Sequence, residues 1–148
     1  MAIVQTVFAQ EAKPQIQSQL SRLLTSYYSM KDALVAGNAS SASASAELFV
    51  KTANAIDYKI ISEGNINALV KDAGSISETK DVKLQRQFFS NLSTNMMALA
   101  KLVKLSSEPI YEAYCPMKKA YWLTSENTIK NPYFGNAMLA CGSIKETL

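Results

Sequence analysis

The chain has 148 residues, of which 48% are hydrophobic and 18% are charged, and its formal net charge is +3. This composition predicts one globular domain with a single core, because disordered chains contain fewer apolar and more charged residues. Histidine is absent, which excludes Ser-His-Asp triads, HExxH metal sites and Cys/His zinc sites, and the small, dispersed charge argues against nucleic-acid binding.

The first ten residues resemble the end of a signal peptide, because Val7 and Phe8 precede the small residue Ala9 and then Gln10. Two interpretations stay open for residues 1–10: a signal-peptide remnant, or a disordered extension. The rest of the chain, residues 11–148, is predicted to form the domain. No run of about 18 apolar residues occurs, so no membrane span is predicted.

Two long amphipathic helices are predicted first. Pro14 suits the first turn of a helix that ends at Gly37. Its apolar residues recur at three- and four-residue spacing: Ile16, Leu20, Leu23, Leu24, Tyr27, Tyr28, Met30 and Leu34. A second helix is predicted over residues 38–62, because a helical stripe continues through the Ser/Ala-rich run at its start. This stripe contains Ala42, Ala46, Phe49, Ala53, Ile56 and Ile60.

A short third helix is predicted over residues 66–73, with Gly74 ending it. Ser75 and Glu78 fit a capping box, in which the serine and glutamate side chains bind free backbone amides, at the start of a long fourth helix that runs to about Leu105. The expected buried stripe of that helix is Leu84 or Gln85, Phe88, Leu92, Met96, Leu99 and Val103.

Residues 109–148 lose the helical periodicity and predict a compact cap. Aromatic residues crowd there: Tyr111, Tyr114, Tyr121, Trp122, Tyr133 and Phe134. Short strands are predicted over residues 110–115 and 120–124, and a tight NPYFG turn over residues 131–135 is expected to reverse the chain and to bury Trp122. The predicted fold is therefore mainly α: an antiparallel helical bundle of three long helices and one short helix, with an aromatic-rich cap of short strands or turns.

Four sulfur-containing residues bracket the cap: Cys115, Met117, Met138 and Cys141. Two thiolates and two thioethers form a soft donor set, which selects Cu(I) or a similar ion. A disulfide between Cys115 and Cys141 explains the cysteines equally well, and Met117 and Met138 are then expected in the core. The spacing leaves both interpretations open, and both require the two cysteines to lie close together.

Several strings of the chain support a resemblance to a known family: CPM, YWLT and IKNPYFGNAMLACG in the cap, with YYSMKDALVAGN and QRQFFSNLSTNMMALAK in the helices. They resemble the domain of unknown function 3347 family, found in exported proteins and attached to periplasmic adaptor subunits of heavy-metal efflux pumps. Many relatives have His where this chain has Tyr114.

The resemblance implies an exported domain, periplasmic or lipid-anchored, that binds Cu(I) or Ag(I) and hands it to an efflux adaptor or metallochaperone. It maps the metal ligands onto Cys115, Met117, Met138 and Cys141.

The alternative function is a structural or interaction module, in which a disulfide-clamped cap presents an aromatic surface to a protein partner. That surface consists of Tyr121, Trp122, Tyr133 and Phe134. An enzyme is not predicted, because the carboxylates show no pairing signal and are expected on solvated helix faces. These carboxylates include Glu47, Asp57, Asp81 and Glu112.

Overall fold

The computed structural model describes the backbone of residues 2–148 and the side chains of residues 14–148. The predicted signal-peptide remnant at residues 1–10 therefore lies outside the described side chains. In the described chain, four α-helices precede a small three-stranded antiparallel sheet, which confirms the mainly α prediction. The elements are α1 (Ala2–Val35), α2 (Ala39–Asn54), α3 (Glu63–Ser77), α4 (Val82–Leu102), β1 (Tyr111–Cys115), β2 (Ala120–Thr124) and β3 (Ser143–Thr147).

The helices form an up-and-down bundle in which each helix packs against the next one along the chain. Their apolar stripes meet in one core, where the rings of Tyr27 and Phe89 stack with centroids 5.0 Å apart. Phe49 contributes to the same core from α2. None of the helices in the described residues is both long and apolar enough to cross a membrane.

The end of α1 matches the sequence prediction, whereas its beginning does not. Gly37 has φ +69° and donates to the Leu34 carbonyl, while Asn38 donates to the Ala33 carbonyl. This is the paired hydrogen bonding of a glycine-terminated helix. Pro14 lies inside α1 and not in its first turn, so a proline that is tolerated in a helix interior gave a misleading start signal.

The boundary between α2 and α3 differs from the predicted one. The second helix ends at Asn54, because the Asp57 side chain accepts a hydrogen bond from the Lys59 amide and stabilises a turn there. Ser62 then caps α3 by accepting from the Asn65 amide. Residues 63–65, which precede the predicted start of the third helix at residue 66, therefore belong to its first turn.

The third helix is 15 residues long and is the shortest of the four, but it extends beyond the predicted residues 66–73 at both ends. It continues through Gly74 to Ser77, because a glycine in a helix interior costs only about 1 kcal/mol. Ser75 lies within this helix and its hydroxyl donates to the Lys71 carbonyl. Ser75 and Glu78 therefore do not form the predicted capping box.

The fourth helix begins after Asp81, whose side chain accepts from the amides of Lys83 and Leu84. Its buried stripe consists of Gln85, Phe89, Leu92, Ser93, Met96 and Leu99. Phe89 replaces the predicted Phe88, and Leu84 is exposed. Gln85, Leu92, Met96 and Leu99 are buried as predicted, and α4 packs against β2 as well as against α3.

The sheet has the strand order β2-β1-β3. The β1 and β2 hairpin confirms the two predicted strands, with Cys115 opposite Ala120. The third strand was not predicted, because its side chains are mostly exposed and carry no apolar alternation. It pairs with β1 at Tyr114 and Ser143. This pairing places the start of β3 beside the end of β1, and the last residues of the chain beside the start of β1.

Candidate functional site

The two cysteines meet where β3 joins β1. Cys115 is the last residue of β1 and is buried, and Cys141 lies two residues before β3 and is half-buried. Both are free thiols. Burial raises the pKa of Cys141 above its ordinary value, and the charge of Cys115 and a hydrogen bond between the two thiols raise it further. The structure thus places two free thiols beside each other, without a disulfide bond between them.

Gly142 is needed for this contact. Its φ is +135°, and a Cβ at this position would lie 2.8 Å from the Tyr114 carbonyl oxygen and 2.9 Å from the Trp122 ring. Any other residue would therefore push the chain away from β1 and carry Cys141 with it. Sequence reasoning did not single out Gly142, although a glycine directly after a cysteine was the available signal.

Asn131 fixes the segment before Cys141 and was also missed by the sequence analysis. Its side chain is fully buried, and its Nδ2 donates to the Cys141 carbonyl at 2.7 Å. Its Oδ1 accepts from the amide of Tyr133 at 2.8 Å. One asparagine therefore ties the NPYFG turn to the cysteine segment. From the sequence alone, Asn131 is interpreted only as part of a turn, because Cys141, the second residue that its side chain binds, lies ten residues further along the chain.

The two methionines are exposed, unlike core residues. Met117 lies in the turn between β1 and β2 and is 64% exposed, and Met138 is 38% exposed. The Cys141 amide donates to the Met138 carbonyl at 3.2 Å, which makes a hydrogen-bonded turn. The expectation that a disulfide would leave both methionines in the core is therefore wrong. Their thioethers are accessible on the turns that follow and precede the two cysteines.

The predicted aromatic surface is only partly a surface. Trp122 is 1% exposed and Tyr133 is 5% exposed, and their rings meet edge to face with centroids 6.1 Å apart. The expected burial of Trp122 beneath the turn is confirmed. Trp122 and Tyr133 are unavailable to a partner, because they fill the space between the sheet and α4. Tyr121 and Phe134 remain half-exposed.

A buried phenol borders the thiol pair. Burial raises the pKa of Tyr133 above its ordinary value; hydrogen bonds with Ser93 and Ser90 oppose this rise, and the neighbouring Cys115 adds to it. The Tyr133 hydroxyl donates to the Tyr121 carbonyl. The Tyr133 phenol next to Cys115 is therefore uncharged at neutral pH.

Glu112 does not lie on a solvated helix face, contrary to the expectation from the sequence. It lies on β1, is 3% exposed, and has its Oε1 3.8 Å from the Lys101 ammonium. Burial raises the pKa of this carboxyl group; Lys101 opposes the rise and Glu146 adds to it. Glu47 and Asp57 are exposed as expected.

The donor set decides which cations the site suits. Among the described side chains, no three His, Cys, Asp or Glu residues come together as a metal site. Hard cations require several oxygen ligands. The cap instead offers two sulfur atoms in contact and two further sulfur atoms on neighbouring turns, a set suited to a soft cation.

The helical part of the chain matches a known family. A family described as "Protein of unknown function (DUF3347)" matches residues 23–108. The chain belongs to this family. The match covers more than half of the chain and ends before β1, so membership rests on the helical bundle and its following loop. The cysteines lie outside the matched segment. No curated protein and no solved structure matches the chain.

Proposed function

We propose that the chain is a non-catalytic domain that binds a soft cation, Cu(I) or Ag(I), between Cys115 and Cys141. The contact between two free thiols carries this proposal. Thiolates are soft ligands that favour Cu(I) over hard divalent cations. The two thiols arrive from separate parts of the cap, and the β1 and β3 pairing fixes them side by side before any ion binds.

The exposure of the donors supports a role in buffering or hand-over of the metal. Cys115 is buried, whereas Cys141 is half-buried and Met117 and Met138 are accessible. A site that is closed on one side and open on the other lets a partner's ligands approach a bound ion. Because the methionines are not part of the core, they are free to turn towards the ion at little cost in stability.

The setting proposed for this activity follows from the resemblance of the sequence strings. Domains of this kind are attached to periplasmic adaptor subunits of heavy-metal efflux pumps. We therefore assign the domain to the exported proteins, periplasmic or lipid-anchored at the cell envelope. Its partner would be an efflux adaptor or a metallochaperone.

Competition for Cu(I) tests the proposal. Reduced protein is expected to withdraw Cu(I) from the coloured bicinchoninate complex, and Cys115→Ser or Cys141→Ser is expected to abolish the withdrawal. Met117→Leu and Met138→Leu should weaken it. Met97→Leu is the matched control, because Met97 lies on α4 and is not among the proposed ligands, so the affinity should stay unchanged. Withdrawal that persists in Cys115→Ser, or no withdrawal by the reduced wild-type chain, would refute the site.

The same thiol contact favours a second function, a structural module clamped by a disulfide. A bridge between Cys115 and Cys141 stabilises by roughly 3 to 4 kcal/mol for a loop of this length. Tyr121 and Phe134 would then form the remaining exposed aromatic surface for a protein partner. Intact mass and thiol counting of air-oxidised protein separate the two functions, because two free thiols in oxidised protein would argue against the clamp.

A further inference from the structure

A cleft of about 600 Å³ lies between α4 and the cap. Lys83, Arg86 and Ser90 line it from α4, and their spacing of three and four residues places them on one face of that helix. Lys118 and Phe134 line it from the cap. The volume lies within the usual range for small-molecule sites, which is roughly 300–1,000 Å³.

The charge of the cleft is positive. Lys83, Arg86 and Lys118 converge on it, and none of the described side chains that line it is a carboxylate. In the part of the chain whose side chains are described, none of the three forms an ion pair. Asp81, the acid nearest to Lys83 along the chain, is engaged with backbone amides at the start of α4. The cleft therefore offers three cations whose charge is not compensated by its own walls.

Arg86 is fixed in position. Its Nε donates to the Pro132 carbonyl and its Nη2 to the Leu34 carbonyl, each at 2.8 Å. No hydrogen bond from Nη1 is found among the described side chains, so this nitrogen is left for another acceptor. Gly135 packs directly on the guanidinium group: a Cβ there would lie 2.7 Å from Nη2. The turn is thus built around an arginine held ready before a ligand binds.

The cap wall adds a flat apolar surface beside the cations. The Lys118 ammonium lies 5.0 Å from the centroid of the Phe134 ring. Ala120 and Ala137 complete this wall, and their small side chains leave space next to the ring. An anionic group placed between Lys118 and Arg86 would carry any attached apolar body against Phe134.

We infer that the cleft binds a small organic carboxylate whose body is flat and apolar. The carboxylate accepts hydrogen bonds from Arg86 and from the two lysines, and the body packs on Phe134. Charge-assisted hydrogen bonds of this kind are about twice as strong as neutral ones. The inference is independent of the proposed metal function, because none of the proposed metal ligands lines the cleft.

Titration of the full chain with 2-naphthoate, followed by amide NMR shifts, tests the inference. Saturable shifts are expected at Ser90, Phe134 and their neighbours. The double variant Lys83→Gln with Lys118→Gln is expected to weaken binding about tenfold, which corresponds to about 1.4 kcal/mol. The matched control is Lys59→Gln with Lys71→Gln, which changes the net charge equally at exposed positions away from the cleft and should bind within about twofold of the wild type.

Neutral 2-naphthamide and inorganic phosphate complete the experiment. If both bind more weakly than 2-naphthoate, the result supports a site that recognises the carboxylate and the apolar body together. Equal binding of naphthamide would show that charge plays no part, and equal binding of phosphate would show that the apolar wall plays none. Each of these two results would overturn the inference. It would also be overturned by NMR shifts confined to other surfaces, or by an equal loss of affinity in both double variants.

Discussion

Glu112 shows how one buried carboxyl group makes stability depend on pH. Burial, opposed by Lys101 and reinforced by Glu146, raises its pKa from the ordinary value of 4.5. The folded chain therefore keeps the proton to higher pH than the unfolded chain does. The stability that this group contributes is complete below its unfolded pKa and is lost as the pH rises through the folded pKa.

Glu112→Gln is expected to remove this pH dependence. The difference in free energy of unfolding between variant and wild type should move in favour of the variant as the pH rises from about 4 to about 7. Urea denaturation at several pH values measures it. Glu108→Gln, which changes an exposed carboxylate just before β1, is the control and should follow the wild-type profile. Parallel profiles for Glu112→Gln and the wild type would contradict the assignment.

At the scale of an element, the start of a helix depends on which polar side chain accepts hydrogen bonds from the free backbone amides of its first turn. In the sequence analysis, Ser75 with Glu78 was the predicted cap of α4, and Asp81 was not considered as a cap. In the structure, Asp81 accepts from two amides of α4, whereas Ser75 bonds within α3. The two candidate caps therefore differ in their energetic role, although both are common capping residues.

Asp81→Ala is expected to destabilise the chain by about 1 kcal/mol, because it leaves amides of the first turn without an acceptor. Asp81→Asn should recover most of the loss. Ser75→Ala is the matched comparison and is expected to change the free energy of unfolding by less than about 0.5 kcal/mol. Chemical denaturation of the three variants checks the order, and a larger loss for Ser75→Ala than for Asp81→Ala would restore the predicted capping box.

At the scale of the whole molecule, Tyr27 joins the bundle to the sheet. Its hydroxyl accepts from the Leu123 amide of β2 at 2.9 Å and shares a hydrogen bond with Ser93 of α4 at 2.7 Å. One buried side chain of α1 thus forms hydrogen bonds with a strand and with a second helix. The hydroxyl of its neighbour Tyr28 is buried and has no hydrogen-bond partner among residues 14–148.

Tyr27→Phe is expected to cost about 1 to 3 kcal/mol, because the Leu123 amide and the Ser93 hydroxyl lose a buried partner. Tyr28→Phe removes an unpaired buried hydroxyl and should be neutral or stabilising. Thermal and urea unfolding measures the free energy of unfolding of the two variants. Both substitutions remove one hydroxyl group, so the change in side-chain volume is nearly identical. A loss for Tyr28→Phe that equals the loss for Tyr27→Phe would show that the joint does not depend on these hydrogen bonds.

The sequence by itself predicted the features that depend on near neighbours. The stripe of α1, its glycine end and the β1 and β2 hairpin follow from periodicity and from residues within a few positions of one another. The NPYFG turn and the burial of Trp122 belong to the same group. The resemblance to the family was based on strings in the cap and in the helices, and the family match confirms the membership over residues 23–108.

Only the tertiary structure decided what depends on distant pairs. β3 exists because β1 offers it an edge, Phe89 is buried in place of Phe88 because β2 packs on α4, and Asn131 reaches Cys141 across ten residues. The contact between Cys115 and Cys141 was required by both sequence interpretations, but spacing does not supply it. The cleft around Arg86 left no signal in the sequence, because its cations come from α4 and from the hairpin, and only packing of the cap on the bundle brings them together.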